Sequence, residues 1–94
     1  MKSFKVILKR GFKTGVVNDT AEFNINIEAE DIKRAYLIAE TGWAIAINAW
    51  NNDQSYSETL RFIEMEAKLM GGYRNQIHEA YNKCIEFIAH PEMF

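Results

Sequence analysis

Phe4, Val6 and Leu8 alternate with Lys5 and Lys9. A period of two over residues 4–10 predicts a strand with one buried face. Ile7 interrupts the polar face, which allows cover on both sides over part of that strand. A second alternation is clearer: Phe23, Ile25, Ile27 and Ala29 point one way, and Asn24, Asn26 and Glu28 the other. Between the two runs Gly11 and Gly15 bracket a predicted loop, Asn18-Asp19 is a turn signal, and Val16-Val17 offers a short rung of pairing. Residues 1–29 therefore read as a β-hairpin with a long connection, and two strands alone need cover to be stable.

From Glu30 the period changes. Ile32, Tyr36, Ala39, Trp43, Ala46 and Trp50 recur at four and three, which predicts a helix over residues 30–50 with Glu30 and Asp31 in its first turn. Gly42 costs such a helix about 1 kcal/mol relative to Ala. It also leaves a third strand over residues 43–50 as the alternative, against which Ala44, Ala46 and Ala49 speak.

After the polar turn 51–54, Ser55 and Glu58 have the spacing of a capping box. The apolar seam then runs Tyr56, Leu60, Ile63, Ala67, Met70, Ile77, Tyr81, Cys84 and Ile88. Gly71-Gly72 reads as the turn of a helical hairpin over residues 55–90, because glycine takes the left-handed C-cap freely. A single kinked rod is the alternative, since the four-three phase carries across. His90-Pro91 stops the last helix. The fold class predicted is α+β, one domain over residues 1–94.

Composition narrows the classes. An apolar share of 48% argues for a folded chain, and an aromatic share of 13% is heavy for so small a core. The surplus rings point to an interface and hence to a homo-oligomer. Cys84 is the sole cysteine, so no internal disulfide forms. No secretory signal or membrane-length apolar run is present, and the expectation is a cytoplasmic protein without membrane contact. Lys2, Lys5, Lys9, Arg10 and Lys13 give five positive charges and no acid in the first thirteen residues, whereas the rest of the chain carries −7. That balance disfavours a general nucleic-acid binder.

Candidate chemistry is sparse. Gly11-Phe12-Lys13-Thr14-Gly15 holds the letters of a phosphate loop in the wrong order, and no helix follows it. His78 and Cys84 stand about 120° apart around a helix and cannot close one metal site with His90. Asn75, His78, Asn82 and Glu86 make a polar stripe that reads as a partly exposed face, with the lining of an interface or pocket as the alternative. Glu64–Lys68 and Glu79–Lys83 are helix-surface pairs. No catalytic constellation, metal or cofactor is expected, and the reading is a non-enzyme.

Residues 77–94 carry one further pattern: Ile77, Ala80-Tyr81, Ile88-Ala89-His90-Pro91 and a terminal Phe94. It resembles the C-terminal hairpin domain shared by phage anti-CBASS and anti-Thoeris nucleotide sponges. The resemblance implies a phage-type homo-oligomer, often a hexamer, that sequesters a cyclic nucleotide or cyclic ADP-ribose signal without cleaving it. Lys9, Arg10, Lys13 and Arg74 are then the phosphate-facing candidates, Tyr73 or Trp50 the stacking ones, with His90 at the position of the family's basic residue. Two rivals stand beside it: an inhibitor that binds a host defence or nucleic-acid-processing protein, and a small nucleic-acid-binding regulator using the basic hairpin.

Overall fold

Val6 and Leu8 on one strand and Phe23, Ile25 and Ile27 on the other share one face of an antiparallel hairpin, and all five are buried. The structure is a computed structural model that describes the backbone of residues 1–14 and 17–91 and the side chains of residues 1–11 and 22–91. Strand β1 spans Lys2–Thr14 and β2 spans Val17–Ala29, paired from Lys2↔Ala29 to Thr14↔Val17. The expected long connection is thus ladder up to Thr14 and again from Val17, and Gly15 lies outside the described residues. Gly11, Asn18 and Asp19 are weak strand formers, but cross-strand backbone hydrogen bonds override propensity there. Asn18-Asp19 lies within β2 and makes no turn. Val17 pairs with Thr14, while Val16 lies outside the described residues.

Helix α1, Ile32–Asn51, begins at Asp31, whose side chain accepts a 2.8 Å hydrogen bond from the Arg34 amide. Asp31 therefore caps the helix rather than sitting in its first turn, and the helix runs through residues 43–50, which excludes the third strand. Its phase differs from the expected one. The buried residues are Ala35, Ile38, Ala39, Gly42, Ile45, Ala46 and Ala49, while Ile32, Tyr36 and Trp50 are exposed. The small side chains face inward because α3 lies close. A Cβ placed on Gly42 would stand 2.6 Å from the Ala80 Cβ, and 2.9 Å from both the Ala80 carbonyl carbon and the Tyr81 amide.

Helix α2, Tyr56–Leu69, starts with the Ser55 hydroxyl accepting from the Glu58 amide. Gly71 and Gly72 (φ 78° and 134°) then reverse the chain, and Tyr73 follows at φ 70° before α3, Arg74–Ala89. The turn reading holds and the kinked rod falls. Ile63, Ala67, Ile77, Tyr81 and Cys84 are buried as the seam requires. Tyr56 is exposed, Ile88 is only half-buried, and Phe87 is the fully buried ring of the last turns. It stacks on Phe23 at 4.3 Å, with Trp43 about 6 Å from both.

Pairings along the helices fix their directions. Arg34 meets Tyr73 and Gly42 meets Ala80, so α1 and α3 run the same way. The Thr41 hydroxyl lies 3.9 Å from the Met70 sulfur, and α2 returns alongside the α1–α3 pair. Sheet, α1 and α3 enclose the core; α2 lies over one flank.

Candidate functional site

The predicted anion-binding residues do not converge within one chain. Arg10 extends from β1 to α1, where its Nη2 donates to Glu40 Oε1 and its guanidinium lies 5.4 Å from the centre of the Trp43 ring. Arg74 donates through Nε to Glu64 on α2. Each guanidinium thus has one donor engaged by a carboxylate, which offsets part of the charge it could offer a phosphate. Tyr73 is half-buried beneath the Arg34 guanidinium, 5.5 Å from its ring centre. Lys9 is exposed on β1 opposite Glu22. His90 caps α3 at the end opposite Arg74, a separation of about 24 Å along the axis at ~1.5 Å per residue. Trp50 is exposed near the far end of α1. The Lys13 side chain and the terminal Phe94 lie outside the described residues.

His78 leaves its expected stripe for a specific partner. Its Nε2 and the Tyr56 hydroxyl are hydrogen-bonded at 2.8 Å, and its ring stacks on Tyr81 with centres 6.4 Å apart. This ties the start of α2 to the middle of α3. Among the described residues no group of three or more His, Cys, Asp and Glu side chains is placed to hold a metal ion. Among them, too, no helix is long and apolar enough to cross a membrane.

Cys84 is buried, and burial pushes its thiol from an ordinary 9.0 up to about 12, with Arg10 pulling it down and Glu40 pushing it up. Because the thiolate is the nucleophile, Cys84 should resist a thiol-specific reagent at pH 8 until urea unfolds the chain. The same shift has a signed effect on stability. Between pH 9 and 12 the unfolded thiol ionises while the folded one stays protonated, so stability should fall as pH climbs through that window. A rapidly labelled native thiol would place Cys84 outside the core.

The surface feature sequence reasoning missed is a groove of about 450 Å³ between α1 and α2. Glu40, Thr41, Ala44, Ile45 and Asn48 line it from α1, Phe62 and Glu66 from α2. Phe62 also borders a smaller hollow of about 310 Å³ with Gln54, Glu58, Arg61 and Met65. Phe62, Met65 and Leu69 are all exposed, and their three-four spacing gives α2 a second apolar stripe beside its core seam. That spacing is present in the sequence, but the seam of Ile63 and Ala67 masked it. A polar notch of about 390 Å³ lies elsewhere, between the sheet and α3. It includes the carboxylates of Glu28 and Glu79 in its lining and is ill suited to a phosphate.

The fold is a small α+β arrangement with an open, helix-walled groove on its surface. The chain has no match among protein-family models, curated proteins or solved structures.

Proposed function

We propose that this protein is a non-catalytic binding protein that seats a macromolecular partner on the groove between α1 and α2, as a phage-type inhibitor of a host protein would. The observation that supports it is the exposed Phe62, Met65 and Leu69 stripe on a helix whose other face is already satisfied by the core. Sequestration of a cyclic nucleotide stands second, because Arg10 and Arg74 are each engaged by a carboxylate. The groove supplies apolar contact instead, which suits a protein surface.

Ala44→Lys tests the reading. Ala44 is exposed in the groove wall, so the substitution should leave the melting temperature unchanged while setting a charge in the docking surface. A protein retained by the parent and lost by Ala44→Lys, from the cell in which the chain acts, is the expected result. Calorimetric titration of cyclic dinucleotides and cyclic ADP-ribose should give no heat of binding. A nucleotide released on heating the purified parent would overturn the proposal, and weakening of that binding by Arg74→Ala would restore the sequestering reading.

A further inference from the structure

The groove also constrains the kind of partner it can take, an inference that rests on the docking role. Its walls are helices whose backbone groups are spent within their own turns. An extended segment laid there would bury unpaired N–H and C=O groups against Thr41, Ala44, Ile45 and Phe62. A helix satisfies its own backbone and brings side chains every three or four residues. The α1 wall repeats in the same way, at Thr41, Ala44 and Asn48.

Charge narrows it further. Glu40 and Glu66 line the groove, and Glu58 lines the adjoining hollow beside Arg61. Glu40 is paired with Arg10, whereas Glu58 and Glu66 have no ion pair among the described residues. We infer that the groove takes an amphipathic helix of a partner protein, its apolar stripe against Phe62 and its flanks carrying Lys or Arg toward Glu58 and Glu66. Glu58 and Glu66 outweigh the single cation Arg61, and the net negative charge favours that helix over an acidic one and steers its approach.

Three fluorescent probe peptides of about five helical turns test this: a Leu/Lys helix, a Leu/Glu helix of the same pattern, and a Leu/Lys peptide with a strand period of two. Anisotropy should show the Leu/Lys helix bound best by the parent. Ala44→Lys should weaken it by at least about tenfold, and Glu58→Lys with Glu66→Lys should reverse the preference between the two helices. Equal binding of the Leu/Glu helix would overturn the charge assignment and leave docking on the groove intact. Tighter binding of the period-two peptide would overturn the helical one. Leu/Lys binding indifferent to Ala44→Lys would place the peptide elsewhere and sink the inference. Self-association of the parent that Ala44→Lys abolishes would assign the groove to a second copy and overturn the hetero-partner. If no peptide binds and Ala44→Lys also leaves partner capture unchanged, the docking role itself fails.

Discussion

Gly42→Ala is expected to lower the melting temperature, by up to roughly 15 °C, although the same change at an exposed helical site would raise it. The helix gains about 1 kcal/mol from the better residue. Against this, the new Cβ meets the Ala80 Cβ at 2.6 Å and backbone atoms of Ala80 and Tyr81 at 2.9 Å. Backbone cannot swing aside as a side chain can, so α1 and α3 must separate. Overpacking of this kind costs about 1–3 kcal/mol or more, and it draws in the neighbouring contacts of Ala39 and Ala46. Ala80→Gly in the same chain should rescue only part of the loss, since the two 2.9 Å backbone contacts stay. Thermal melts of the parent, the single variants and the pair decide. A Gly42→Ala protein as stable as the parent would mean that the two helices stand further apart than these distances.

The second large effect is at Phe87. Its ring is fully buried and stacked on Phe23, with Trp43 completing the group. Phe87→Ala should cost about 3–5 kcal/mol, a large share of the roughly 5–15 kcal/mol that holds a domain of this kind. Ile88→Ala, one residue on, should cost clearly less because Ile88 is half-buried. Urea titration compares them directly. The reverse order would restore Ile88 to the core seam and put the last helix out of phase by one residue.

Much of this architecture was legible in the chain. The switch from a period of two at Phe23–Ile27 to three and four after Asp31 reports the change from a half-buried strand to a helix packed on it. Ser55, Gly71 and Gly72 mark their boundaries because capping and left-handed turns are local chemistry. The face of α1 was less legible. Ile32, Tyr36, Trp43 and Trp50 repeat at helical spacing and outweigh Ala and Gly on any scale of side-chain hydrophobicity. What selects the Ala35–Gly42–Ala49 face is how closely α3 approaches, which is a property of the other helix. The reach of β1 and β2 was hidden for a similar reason, since ladder bonds need no apolar side chain. The candidate site was least legible. Arg10 and Arg74 read as free cations until Glu40, thirty residues away, and Glu64, ten away, are set beside them. The groove depends on how far α2 stands from α1, which neither helix states alone.

The parallel pairing of α1 with α3 has a consequence for how the chain folds. Thirty-eight residues separate Gly42 from Ala80, and the whole of α2 lies between them. The closest helix contact is therefore non-local, and the entropy of closing that loop is lost before any of its packing is gained. The β-hairpin and the α2–α3 turn can form from near neighbours, so assembly waits on docking α3 against α1. Substitutions at Gly42 and Ala80 are then expected to act on the rate at which the protein folds, and those on the outer face of α2 mainly on how fast it comes apart.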